Sequence, residues 1–412
     1  MKTVSLISIG NELLSGHTVN KNTSYLGEKI LSCGLTVASV HTVSDNISEI
    51  VKALNRAAED ADFIICTGGL GPTGDDLTRQ GIAAFGGVQL CCDTQSLNDI
   101  CDYFASINKE MPELNKIQAY IPAGAQAIKN NNGTAAGIRF ETSGKLIFAL
   151  PGVPYEMKIM FERSVMPELK NKAAAQAVIL KKLKCFGSGE SRVAQILGEM
   201  MNRERNPLVN TTVHYGVITI HILASADSND KAMALVRADE EKISALLGND
   251  IFGKDDENLE EIAGKLLKKN KQTIAIAESC TGGLLAKMLT DIPGSSDYFK
   301  AGWVTYSNEA KINELGVSPD IIKQFGAVSE QTAGALASGA RIKAESDFGI
   351  GITGIAGPGG ASKEKPTGLV FIGLSWHNDC IVQQFVFRGE RSTIRTRAAM
   401  NALNMLRLKL MV

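Results

Sequence analysis

Four short apolar runs in the first 150 residues, TVSLISI, LTVASVHTV, DFIICT and KLIFAL, alternate with stretches whose apolar residues recur at helical spacing. Such alternation predicts an α/β domain in which a parallel sheet is covered by helices. Ligands of such sheets bind beyond the carboxyl ends of the strands, so the loops after the runs are where chemistry is expected. Further along the pattern changes. An alanine-rich opening near 171, the stretch LKKLKCFGSGESRVAQIL and the strand-like YGVITIHILAS predict a small α+β module, closed by the turn-rich, acidic GNDIFGKDDEN. Asp255 or Asp256 is expected to cap the next helix, whose apolar stripe is Leu259, Ile262, Ala263, Leu266 and Leu267. Three domains follow from this reading, at 1–168, 169–250 and 251–412.

The 412 residues are 44% apolar and 21% charged, a balance able to bury several cores. The formal net charge of -1 gives no field to draw the whole molecule to nucleic acid or anionic lipid. MKTVSLISIG lacks the pattern of a secretory signal, and no eighteen-residue apolar window occurs, so a cytoplasmic protein that does not enter membranes is expected. The eight cysteines, Cys33, Cys66, Cys91, Cys92, Cys101, Cys185, Cys280 and Cys380, show no zinc-type pairing. Most are expected to be reduced, buried and inert.

The last domain carries the densest motifs. AESCTGG follows the run TIAI and precedes a helical stretch, so Ser279 and the amides of Thr281, Gly282 and Gly283 would face one pocket at a helix start. Capping of that helix by Ser279 or Thr281 is the plainer alternative. VTYSNEAK places Tyr306 and Lys311 beyond another strand, and either could relay a proton from a serine. Gly354, Gly357, Gly359 and Gly360 crowd residues 352–360, forming either a phosphate-approaching loop or a flexible hairpin. Arg391 and Arg395 lie one helical turn apart and could grip a phosphate. None of the five histidines falls in these motifs, so no Ser-His-Asp triad is expected.

AESCTGG, VTYSN, AVSEQTAGALASGAR, TGIAGPGG and the arginine-bearing helix resemble, in this order, the C-terminal domain of the CinA family, or PncC-type deamidases of nicotinamide mononucleotide (NMN). The resemblance implies hydrolysis of NMN to nicotinic acid mononucleotide and ammonia in pyridine nucleotide salvage, with no cofactor. By motif it places Ser279, Tyr306, Lys311 and Thr353 in the catalytic site, with Arg391 or Arg395 on the phosphate. Ser279 would attack the carboxamide carbon while Tyr306 or Lys311 relays the proton and helix-start amides hold the oxyanion.

In the first domain CTGGLGPTGDDLT, residues 66–78, brings Gly68, Gly69, Gly71 and Thr73 before Asp75 and Asp76. Glycines suit phosphate, but paired carboxylates tolerate phosphate only with a cation, so a divalent metal is expected on Asp75, Asp76 and Glu12. One of the aspartates could instead cap the helix that follows. These motifs, with LPGVPYEM and NGTAAGI, resemble the N-terminal domain of the same family, which shares its three-layer fold with molybdopterin-binding proteins. The resemblance implies cleavage of ADP-ribose to AMP and ribose 5-phosphate with magnesium, manganese or cobalt. The sequence departs from the family at Asn11 and Asn20, where acidic residues are frequent, and NGTAAGI lacks the usual proline.

The middle segment resembles KH-like modules but lacks their GxxG loop, and residues 171–250 hold ten Lys and Arg against nine Asp and Glu. Direct nucleic-acid binding is therefore not expected; domain positioning or homodimer contact is. Two alternatives to a two-activity enzyme stay open: an N-terminal domain that only binds a nucleotide or pterin, and a competence or repair accessory protein.

Overall fold

A computed structural model describes residues 2–173 and 177–412. The chain forms two compact units, one of residues 1–180 with 224–235, the other of residues 181–223 with 236–412.

The first unit is built on a six-stranded sheet. Its strands are β1 (Thr3–Ile9), β2 (Thr36–Val43), β3 (Phe63–Thr67), β4 (Gln126–Ile128), β5 (Gly137–Thr142) and β6 (Lys145–Leu150), in the order β2-β1-β3-β6-β5-β4. The first four of that order run parallel, as their apolar runs predict, whereas β5 is antiparallel to both of its neighbours, β6 and β4. Period two divides the strand residues between two cores. Val4, Leu6, Phe63, Ile65, Leu146 and Phe148 join one; Ile7, Ile9, Ile64, Cys66, Ile147 and Ala149 join the other. The helices α1 (Lys21–Ser32) and α2 (Ile47–Asp60) are capped by Asn20 and Asn46, each accepting backbone N-H groups. The third, α3 (Thr78–Gly86), follows the glycine-rich loop and has no side-chain cap, so neither Asp75 nor Asp76 serves that purpose.

In the second unit, Leu208–His214 pairs antiparallel with residues 217–223, and Ile251–Lys254 with residues 183–185. The helix α4 (Leu259–Asn270) begins at Asn258, which accepts the Glu261 N-H at 2.9 Å. This corrects the expected cap: Asp255 instead accepts from Lys181 and from the Lys182 N-H. The apolar stripe is as expected, with Leu259, Ala263 and Leu267 in the core and Ile262 and Leu266 against it.

A five-stranded sheet follows, with β7 (Ile274–Glu278), β8 (Phe299–Val304), β9 (Phe348–Gly354), β10 (Leu369–Trp376) and β11 (Asp379–Val386) in the order β8-β7-β9-β10-β11. The first three are parallel, and β10 is antiparallel to both of its neighbours, β9 and β11. Between the strands lie α5 (Leu284–Thr290), α6 (Asn308–Leu315) and α7 (Glu330–Lys343), and α8 (Arg391–Leu410) ends the unit. The glycines of FGIGITG let α7 rest directly on the sheet. A Cβ at Gly349 or Gly351 would lie 2.1 Å or 2.4 Å from the carbonyl oxygens of Ala337 and Ala333.

All eight cysteines are free, and the expectation that most are buried is corrected: Cys91, Cys92, Cys101 and Cys380 are exposed. No helix among the described residues is long and apolar enough to cross a membrane.

Candidate active sites

β7 ends at Glu278 and the chain turns at once towards α5, which leaves Ser279 at the carboxyl edge of the second sheet. Its N-H is held by the Ile352 carbonyl of β9 at 3.0 Å, and the residue is 9% exposed. Lys311 comes from the first turn of α6, which Ser307 caps by accepting the Ala310 N-H. Its Nζ lies 3.2 Å from Ser279 Oγ, and 2.8, 3.3 and 3.4 Å from the carbonyl oxygens of Thr305, Tyr306 and Ser307. At 1% exposure the ammonium is desolvated, and burial pushes its pKa below the ordinary lysine value, opposed by Cys280 and Glu309. Nζ donates to Ser279 Oγ and to the carbonyls; losing a proton would exchange one of those donors for a lone pair beside the Ser279 hydroxyl. The neighbouring Cys280 is no rival nucleophile, since burial pushes its thiol up to about 11.

The carboxylate of Glu278 is fully buried and accepts the N-H groups of Leu285 and Ala286 at 3.1 and 2.8 Å. The protein's own acid thus fills the first turn of α5. Gly282 N-H is also spent, on the Ser279 carbonyl at 3.1 Å, which removes it from the expected set of pocket-facing amides. Gly282 and Gly283 have φ of 59° and 88°, a left-handed path that requires glycine. The hydroxyls of Thr281 and Thr305 are buried without a partner.

The remaining expected residues separate by role. Arg395 donates twice to the Thr281 carbonyl, at 3.1 Å from Nε and 2.6 Å from Nη2, so it clamps the turn after Ser279. Arg391 bridges the Gly357 carbonyl at 2.7 Å and the Tyr306 hydroxyl at 3.2 Å. Tyr306 is 62% exposed, and its hydroxyl meets Arg391 while Lys311 meets Ser279. Thr353 is buried and donates to the Ala327 carbonyl at 2.6 Å. Gly354 packs against the Leu369 carbonyl within the strand pair, whereas Gly359 and Gly360 are exposed.

In the first unit, Gly68, Gly69, Gly71, Glu12, Asp75 and Asp76 line one cleft of about 640 Å³, as the motifs predict. Asp45, Glu156, Lys109, Gln118, Tyr103 and Phe104 line it too. Thr73 turns inward instead: its N-H, at 2.8 Å, and its hydroxyl both donate to Asp76. Asp45 accepts the Asn11 N-H at 2.8 Å; burial raises its pKa, with Glu12, Asp75 and Asp76 pushing the same way. Asn20, the other departure, caps α1 and donates to Ser8 Oγ at 2.8 Å. Among the described residues no three His, Cys, Asp or Glu side chains come close enough to hold an ion alone. Mutually repelling carboxylates in one cleft nevertheless fit a hard divalent cation that takes one or two protein ligands and completes its shell with phosphate and water.

Sequence reasoning assigned no role to Glu278, Asp45 or Arg79. Asp45 had a signal, since VSDN follows the run LTVASVHTV and so lies at a strand's carboxyl end like the other site loops. The hydrogen bonds of Glu278 and Arg79 had none.

Three family models match the chain in succession: a probable molybdopterin binding domain at residues 5–171, the damage-inducible protein CinA KH domain at 180–253, and the CinA C-terminal domain at 256–410. A protein of Clostridium beijerinckii named competence-damage inducible is 41% identical over 402 residues, 98% of each chain. A CinA-like protein of Kosmotoga olearia is 42% identical over 402 residues, 98% of this chain and 97% of its own. Among solved structures, a CinA protein from Thermoplasma acidophilum is 34% identical over 41% of this chain and 98% of its own, with a TM-score of 0.39. A competence/damage inducible protein from Agrobacterium tumefaciens is 40% identical over 37% of this chain and 96% of its own, with a TM-score of 0.36. With relatives of such identity along nearly its whole length, the chain belongs to the CinA family.

Proposed function

We propose that the second unit is an amide hydrolase acting on NMN, and that the 3.2 Å approach of Lys311 Nζ to Ser279 Oγ carries its chemistry. Ser279 Oγ attacks the carboxamide carbon as its proton passes to Lys311, and the same proton returns to the nitrogen that leaves as ammonia. Water then cleaves the acyl-enzyme to give the carboxylate. The Thr281 and Gly283 amides, what is left of the expected set, receive the oxyanion, and Arg391, with its hold on the Gly357 carbonyl, stands at the phosphate end. The test is ammonia release from NMN by wild type and Ser279→Ala in parallel. Release by the first alone supports the reading; equal release by both, or none from a folded wild type, overturns it.

The first unit, in the same proposal, hydrolyses the pyrophosphate of ADP-ribose. One or two of Glu12, Asp75, Asp76 and the neighbouring Asp45 would hold a divalent ion, which when bound would polarise a phosphoryl group and acidify a water. Gly68, Gly69 and Gly71 line the cleft, their missing side chains leaving room for Ile9, Thr78 and Asp76 to pack against the loop, and Tyr103 and Phe104 offer the apolar wall for a base. A second reading, binding without cleavage, draws support from the absence of a preassembled three-ligand group among the described residues. ADP-ribose that binds but is not cleaved with any of magnesium, manganese or cobalt would select it.

A further inference from the structure

Arg79 is among the largest fully buried side chains, 1% exposed, and it lies under the glycine-rich loop of the first unit. Nη1 donates to the Leu70 carbonyl at 2.8 Å; Nη2 donates to the Gly71 carbonyl at 2.7 Å and reaches that of Asp76 at 3.5 Å. Nε has no partner; the nearest carboxylate to act on the group is that of Asp76, which raises its pKa without hydrogen-bonding it. A buried, unpaired guanidinium is costly, and stapling a loop does not call for charge. Gln118, neutral and equally buried, already reaches the Leu70 carbonyl at 3.4 Å.

The cleft above the loop supplies the reason for a charge. Five carboxylates line it, those of Glu12, Asp45, Asp75, Asp76 and Glu156, against one lining cation, Lys109. A polyanion entering there meets repulsion that one divalent ion does not cancel. We propose that Arg79 is a positioning residue for a phosphate-bearing ligand, its fixed charge beneath Leu70 and Gly71 supplying positive potential that the cleft's own surface lacks. Because the Leu70 carbonyl turns down to Arg79, the N-H of the same trans peptide, on Gly71, turns the opposite way, towards the cleft. Little water intervenes at such depth, so the charge is weakly screened. Burial lowers the Arg79 pKa only to about 10, which leaves it protonated at neutral pH.

The inference rests on the phosphate-ligand reading of this cleft, and the experiment separates the two. Inorganic pyrophosphate and ADP-ribose are titrated calorimetrically, in EDTA and in magnesium, into the full chain carrying Arg79→Gln or Arg79→Lys. Gln keeps a donor for the carbonyls without the charge, and Lys keeps the charge. With the loss of a charge-assisted interaction, Arg79→Gln is expected to bind both ligands about tenfold more weakly, the deficit being larger in EDTA, while Arg79→Lys stays within about threefold of wild type. In turnover, Gln should raise KM more than it lowers kcat, and Lys should reverse that. Equal binding by both variants, or equal loss in both, overturns the role of charge and leaves the reading standing. A wild type that binds neither ligand overturns both. Failure of both variants to fold, judged by circular dichroism, makes Arg79 a folding residue and overturns the proposal.

Discussion

In the proposed amidase mechanism Lys311 is the residue on which the chemistry turns, because a base must be unprotonated to act. An ordinary lysine titrates near about 10.4, and burial shifts Lys311 downward. Its neutral fraction therefore grows as pH rises through a value below that of a free lysine, and kcat/KM for NMN is expected to rise along the same limb. Lys311→Arg, protonated at every accessible pH, should lose about 10²-fold or more in kcat without that limb, as a pH-rate profile will show. A profile flat from pH 6 to 10 in the wild type would remove Lys311 from the role. Glu278 invites a separate test. Each of its oxygens accepts one N-H of α5, and in Glu278→Gln one of those N-H groups would face an amide nitrogen. Denaturant melts should show a loss of about 1–3 kcal/mol, the cost of a buried unsatisfied donor.

At the scale of elements, the sheets were legible because their strands are long enough to show a period. TVSLISI, DFIICT and KLIFAL read as strands and are strands, and the loops at their carboxyl ends do line the clefts. The β4–β5 edge was not legible, since a three-residue strand such as Gln126–Ile128 leaves no alternation to detect. Caps failed for a related reason. Several polar residues near GKDDEN offer the same chemistry, and only the chain path selects Asn258 over Asp255 or Asp256. The arginines of α8 were found by spacing, but their division of labour depends on distant carbonyls that no local pattern encodes. Gly349 and Gly351 of β9 carry no local signal for why they must be glycine. The contact with α7 gives the reason, and it is testable: Gly351→Ala puts a methyl 2.4 Å from the Ala333 carbonyl oxygen. Thermal or urea melts should show a loss of about 1–3 kcal/mol from overpacking; an unchanged melt would mean that α7 moves away freely.

For the whole molecule, the proposed function gives the two compact units two chemistries with opposite demands on metal. EDTA is expected to abolish ADP-ribose cleavage, while ammonia release from NMN continues at its full rate in the same sample. Loss of both would place a cation in the deamidase as well. Domain content was legible from motif order. Arg79 was not, because a cation buried among carbonyls has the same sequence signature as a solvated one.

Arg395 reaches back 114 residues to clamp the Thr281 carbonyl, so the turn bearing Ser279 is closed by a helix made long after it. During synthesis the nucleophile and its lysine emerge first, and the chain must be translated past Arg395 before that turn can be locked. A nascent or prematurely ended chain would carry Ser279 without its clamp, so any chemistry at Ser279 would await the chain reaching Arg395.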